Sequence, residues 1–290
     1  MMTVSQSLSG KTAGDENFPV ASRLIARRRR PIILAFYRFV RAADDVADNP
    51  RLSADEKLAL LDHMAEALCG CAYDPEAEPL RLALRAEGIA PKHALDLVDA
   101  FRLDAVKNRY ANFGELLDYC RLSAMPVGRF VLDAHGESRS LWPASEALCA
   151  ALQVINHLQD CGQDFRRLDR VYLPQTILDS HGATVEMLGG SRASLQLLGA
   201  IAELARHAAA LVEQSGDLVP RIADLRLSLE IAAIHALARE LADRLQHRDP
   251  LSEAVHLSRF EFATVGGLAV MRTLMRALMP RSMRARRARA

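Results

Sequence analysis

The chain has 290 residues, half of them hydrophobic, with 37 basic against 36 acidic side chains and a net charge of +1. That supplies a sizeable core, and it leaves no global field to favour nucleic acid. Five cysteines (Cys69, Cys71, Cys120, Cys149 and Cys161) without a CxxC pair exclude a zinc ribbon or a disulfide framework, and point to a reducing, cytoplasmic compartment.

Residues 1–14 are rich in Ser, Gly and Thr and read as a disordered leader, without the apolar stretch of a signal peptide. No uncharged apolar run reaches the length of a membrane span. From residue 15 a single folded domain is expected to run to residue 280. The basic run Arg27–Arg30 precedes Pro31, which suits the first turn of a helix and is expected to open one. That helix carries FYRFVRAADDVAD and stops at Asn49-Pro50. On it Tyr37, Arg41, Asp44 and Asp48 fall on one stripe, with apolar Phe36, Phe39 and Val40 beside them.

Ser53 and Glu56 have capping-box spacing ahead of Leu58, Leu61, Met64 and Leu68. A short helix over Leu80–Glu87 closes at Gly88, and another begins at Pro91. Asp104 and Asn108 near its end share a face, directed either at a common cavity or at surface partners such as Lys107 and Arg109. Phe113–Glu137 reads as one long helix kinked at Met125-Pro126-Val127-Gly128. Proline there would free the carbonyl of Leu122 to hold a water beside an apolar pocket.

The next stretch, QVINHLQDCGQDFRRLDRVYLP over Gln153–Pro174, repeats the theme. Gln153, Asn156, Asp160 and Asp164 form one helical stripe where a core row would carry Leu or Val, flanked by Leu152, Val154, Ile155 and Leu158. Beyond it lie a connection over Gln175–Gly190 and helices over Ser191–Ser215, Arg221–Arg248 and Glu253–Met279. No Val/Ile/Thr alternation marks a strand, so the chain reads as an all-α single domain. Its last segment, Met271–Ala290, holds seven arginines and no acid, either a frayed basic tail or a membrane-surface patch.

Two acidic rows facing each other across a helical bundle repel unless a cation lies between them, and magnesium suits carboxylate oxygens with positions left for phosphate. A pair of this kind can neutralise a departing diphosphate, with Arg41 as a planar cationic clamp. The cation left behind would find aromatic faces in Phe18, Phe36, Tyr37 or Tyr119. The residues alone thus lead to magnesium-dependent ionisation of a diphosphate ester.

Three motifs sharpen this: RxxDDxxD at Arg41–Asp48, YCxxSAxPVG at Tyr119–Gly128, and QxxNxxQDxxxD at Gln153–Asp164 with DRVYLP at Asp169–Pro174. With them the chain resembles the squalene/phytoene synthase family. The resemblance implies an isoprenoid-synthase-type helical bundle with a central cavity and magnesium at Asp44, Asp48, Asp160 and Asp164. It assigns catalysis to these four with Arg41, Tyr119 and Asn156, and substrate contacts to Phe18, Tyr37, Arg41, Tyr119, Gln153, Asn156 and Arg170. ENFPVAS at Glu16–Ser22 and SAMPVG at Ser123–Gly128 resemble the branch serving bacterial hopanoid pathways. That branch ionises presqualene diphosphate, rearranges the cation and captures it with water to give hydroxysqualene. The alternatives are a head-to-head prenyl transferase making presqualene or phytoene diphosphate, and a non-catalytic assembly factor on the same fold. No GxGxxG follows a strand, so no nicotinamide cofactor is expected. A cytoplasmic protein, peripheral to the inner membrane surface through its basic tail, completes the expectation.

Overall fold

The computed structural model describes residues 26–279. Phe18, the leader 1–14 and the tail 281–290 lie outside the described residues. Among the described residues every regular element is a helix. α1 (Arg30–Ala47) has Pro31 in its first turn, and its C-cap Asp48 donates its backbone N–H to the Asp44 carbonyl. α2 (Ala54–Cys69) opens with the reciprocal Ser53–Glu56 capping box and closes at Gly70 in a left-handed conformation. α3 (Ala77–Glu87) closes at Gly88 in the same way, and α4 (Lys92–Asp104) follows Pro91.

The expected kinked helix is instead two helices, α5 (Phe113–Ser123) and α6 (Met125–His135), parted at Ala124 with φ −130° and ψ −46°. Pro126 lies in the first turn of α6, where its missing N–H is no loss. It opens a helix rather than bending one, and replacing it with alanine is not expected to rebuild a continuous rod. α7 (Trp142–Leu168) carries the second polar stripe. After it come α8 (Gln175–Ser180), a 3₁₀ turn at Val185–Gly189, α9 (Leu195–Gln214), the short α10 (Leu218–Arg221), α11 (Leu225–Leu245) and α12 (Arg259–Leu278). The last helix begins later than the expected Glu253, because Ser258 and Glu261 form a second capping box there.

Burial divides the core in two. Phe39, Leu61, Met64, Leu80 and Leu97 pack together from α1 to α4, whereas Leu116, Ile155, Leu158, Ile201 and Leu241 belong to a larger cluster drawn from α5, α7, α9 and α11. α6 serves both: Phe130 stacks on Phe36 of α1 with ring centroids 3.8 Å apart, and Leu132 joins the larger cluster. The acidic rows lie on opposite sides of this division, one on α1 and one on α7. Leu195–Arg221, with mean hydropathy 1.3, is long and apolar enough to cross a membrane by composition. It packs on α7 and α11 instead, burying Leu197, Ile201, Leu204 and Val212.

Candidate active site

On α1 the stripe read from the sequence is half-buried while Phe36 and Phe39 beside it are buried, as expected of a polar row lining a cleft. The Arg41 guanidinium bonds Asp44 Oδ2 and Asp45 Oδ1, both at 2.9 Å. Asp45, buried and absent from the predicted set, fixes the arginine along its own helix. The opposed row on α7 is half-buried at Gln153, Asn156, Asp160 and Asp164 alike. The Gln153 amide donates to His157 Nε2 at 3.1 Å, and burial, with Arg170 nearby, pushes that imidazole down to about 3, keeping it a neutral acceptor.

The end of α7 turns the chain back onto α1. Asp169 takes the left-handed conformation (φ 51°) that Asp tolerates better than most side chains, and it pairs with Arg109. The following residues then run beside the end of α4, Val171 N–H donating to Asn108 O and Gln175 N–H to Tyr110 O, both at 2.9 Å. This brings Arg170, itself buried, across to α1, where it bonds Asp48 Oδ1 at 2.5 Å and the Ala47 carbonyl at 3.0 Å. Burial opposes the Arg170 charge, but Asp104, Tyr172 and Asp48 more than compensate and hold it firmly protonated.

Asp104 is the principal residue that the sequence left undecided. It does not pair with Lys107 or Arg109, which bond Glu115 and Asp169. It is buried under the cleft and accepts from the Tyr119 hydroxyl at 2.7 Å and the Tyr172 hydroxyl at 3.0 Å. Burial pushes its carboxyl up to about 6 against the opposing pull of Arg170 and the two phenols. Tyr119 is therefore buried, in an aromatic group with Tyr110, Tyr172 and His157, and holds Asp104 from behind. Lys57 on α2 also stands close enough for Arg170, Asp48 and Asp104 to act on its charge. No feature of its sequence context singles it out. The run Arg27–Arg30 lies at the far end of α1, roughly 27 Å from Asp48 along the helix, and Arg29 pairs there with Glu87.

The carboxylates act on one another across the cleft. Burial and then Asp48 push the Asp44 carboxyl up to about 8, and burial, Asp160 and Asp48 push Asp164 up to about 7. Asp44 keeps 31% of its side chain exposed and Asp48 42%, so solvent reaches the rows and screens part of this repulsion. Among the described residues no three His, Cys, Asp or Glu side chains converge as a closed metal cage. Opposed carboxylate walls with excess negative charge nonetheless fit magnesium, which binds through one or two carboxylates and leaves the rest of its shell to water and phosphate oxygens.

From the polar rows an apolar cavity of about 280 Å³ continues between α1, α6, α7 and α11. Phe36, Tyr37, Leu152 and Ile231 line it, with Gly128 where α6 crosses α7. A Cβ at Gly128 would lie 2.3 Å from Ser145 Oγ and 2.7 Å from Cys149 Sγ, so a larger residue would have to displace both side chains.

An all-helical bundle with opposed acidic rows above an apolar cavity is the architecture of an enzyme that handles prenyl diphosphates. The chain belongs to the squalene/phytoene synthase family, whose profile matches residues 11–261. Over 263 residues it is 53% identical to the hydroxysqualene synthase of Rhodopseudomonas palustris, covering 90% of each chain. Over 257 residues it is 51% identical to that of Zymomonas mobilis, covering 88% of this chain and 86% of the relative. Among solved structures it resembles the squalene synthase HpnC of Alicyclobacillus acidocaldarius, with TM-score 0.71 and 29% identity over 84% of this chain and 91% of the other. A dehydrosqualene synthase shares the fold with TM-score 0.77 and 22% identity over 94% and 96%.

Proposed function

We propose that the chain converts presqualene diphosphate and water to hydroxysqualene and diphosphate. The observation that carries this reading is the pair of acidic rows facing each other at the mouth of an apolar cavity, in a chain whose relatives over nine-tenths of its length are named hydroxysqualene synthase. Magnesium held by Asp44 and Asp48 on one wall and Asp160 and Asp164 on the other would supply Lewis-acid neutralisation of the leaving diphosphate. Arg41 orients Asp44, and Arg170 draws Asp48 toward the end of α7, so that both walls present their carboxylates to one cleft. Asn156 and Gln153 extend the α7 wall with amide groups suited to positioning diphosphate oxygens. Tyr37 stands where the cleft passes into the cavity, and its ring face suits a developing cation. Phe36, Leu152 and Ile231 then keep bulk water from the rearranging cation.

Product identification by mass spectrometry tests this reading, with presqualene diphosphate and farnesyl diphosphate offered separately in the presence of magnesium. Hydroxysqualene from the first and no joined product from the second is the expected result. Joined diphosphate from farnesyl diphosphate alone would replace it with the head-to-head transferase reading, and no turnover of either substrate would sink both.

A peripheral, cytoplasmic-side membrane contact belongs to the same proposal. Leu268, Met271, Met275 and Leu278 form one solvent-exposed row on α12, which leads into the arginine-rich tail. The full chain is expected to sediment with anionic vesicles at low salt and to release from them at high salt. Failure to sediment at low salt removes the membrane contact and leaves the reaction untouched.

A further inference from the structure

The apolar cavity has one wall that breaks the pattern. On α11, Leu227, Glu230, Ile231 and Ile234 all line it, at the i, i+3, i+4 and i+7 spacing of a core-facing row. Glu230 takes one of those four places although it is 3% exposed. It is the carboxylate in that row, where the other three places hold Leu or Ile. The other polar groups on the lining have different chemistry. Tyr37 offers a phenol and Ser145 a hydroxyl, while burial pushes the Cys149 thiol up to about 11. Among the described residues of this lining, Glu230 is therefore the carboxylate, a group that accepts hydrogen bonds and protons.

Its position relative to the acidic rows also matters. Both row-bearing helices continue into the cavity, α1 through Phe36, Tyr37 and Val40, and α7 through Leu148, Cys149 and Leu152. From Asp44 back to Tyr37 is about 10 Å along α1. A substrate with its diphosphate at the rows thus lays its hydrocarbon body past Tyr37 into the chamber that Glu230 faces. Cation capture by water needs an acceptor for the water proton, and it needs that acceptor inside a chamber closed to bulk solvent.

We infer that Glu230 is the base of the water-capture step, holding the attacking water in the apolar chamber and accepting its proton. The inference rests on the reaction proposed above and assigns a residue to its last step. The water oxygen gives an electron pair to the cationic carbon and the C–O bond forms. One O–H bond breaks and its proton passes to the Glu230 carboxylate. Cation, water and carboxylate become alcohol and carboxylic acid, and nothing is oxidised or reduced. The carboxylic acid returns its proton to solvent as the product leaves.

Glu230→Gln keeps the shape and the hydrogen bonding but not the basicity. With presqualene diphosphate and magnesium, its diphosphate release is expected within about threefold of the parent, while the hydroxysqualene fraction falls at least about tenfold in favour of eliminated hydrocarbons or isomeric alcohols. Glu230→Ala, with room for a small carboxylate, should regain hydroxysqualene on addition of formate but not of chloride. Circular dichroism of both variants establishes that they fold. Should the glutamine variant misfold, the formate arm on the alanine variant decides alone. An unchanged product ratio in the glutamine variant, slower diphosphate release with the ratio held, or an altered ratio in the alanine variant that formate does not restore would overturn the assignment. A parent enzyme that releases diphosphate without making hydroxysqualene would instead overturn the reaction on which it rests.

Discussion

The two acidic rows look alike in sequence, and the structure sets them in unlike surroundings. The α1 row comes with its cations: Arg41 spans Asp44 and Asp45, and Arg170 reaches over from the end of α7 to Asp48. On α7, burial acts most on Asp164, followed by the carboxylates of Asp160 and Asp48, with Arg170 a weaker opposing influence. One wall thus has arginines bonded to its carboxylates, whereas the Asp164 carboxyl is raised by burial and by its acidic neighbours. An added cation between the walls relieves repulsion in both rows, since Asp44 is raised as well as Asp164. The two cores meet at this cleft, so whatever fixes their spacing also fixes the distance between the rows.

The largest effect expected is on catalysis. Asp44→Asn and Asp160→Asn should each lower turnover by ~10²–10³ with the fold retained, as for loss of a charged group from a site that stabilises a leaving anion. Their effects on stability should separate the rows. Asp164→Asn relieves repulsion and is expected to raise the melting temperature of the metal-free protein, whereas Asp48→Asn removes a partner of Arg170 and lowers it. Equal shifts of one sign would show that the rows are equivalent.

Next in size is Arg170→Met. It leaves Asp104 buried without its principal cation and unties α7 from α1, and should cost about 3–5 kcal/mol, read by urea unfolding. Near-parental stability would show that the tyrosines alone suffice for Asp104.

Dependence on pH comes third. Asp44 and Asp164 hold protons more tightly folded than unfolded, since the unfolded carboxyl titrates near 3.8. The stability they contribute is complete below that value, declines as pH rises, and is gone once pH passes their folded values of about 8 for Asp44 and about 7 for Asp164. The melting temperature of the metal-free protein should therefore fall between about pH 4 and about pH 8, and added magnesium should reduce the fall by stabilising the ionised carboxylates. A flat profile without metal would mean that solvent already screens the rows.

Gly128→Ala tests the spacing of the two cores. The new methyl meets Ser145 and Cys149 where α6 crosses α7, and overpacking of this kind should cost about 1–3 kcal/mol. Turnover should fall more than the lost stability explains, because α6 also carries Phe130 against α1. Smallest is Ser53→Ala, which removes the cap of α2 for about 1 kcal/mol with turnover unchanged; a large loss of activity would show that α2 positions Lys57 more tightly than its exposed cap implies.

Much of the fold and of the two rows was legible in the sequence, because helix periodicity, caps and polar stripes are local properties. Ser53 with Glu56, Gly88, Pro31 and the spacing of Asp44, Asp48, Asp160 and Asp164 each depend on neighbours within a few turns of one helix. Met125-Pro126 was misread as a kink because proline has the same local effect whether it bends a helix or begins one, and only the backbone at Ala124 distinguishes them. Tertiary structure decided the rest. The placement of Asp104 between Tyr119 and Tyr172, the reach of Arg170 across to Asp48, and the presence of Glu230 in the cavity wall each join residues from different helices. No periodicity within one segment records such a contact, because its energy depends on burial and charge that arise only when the helices pack.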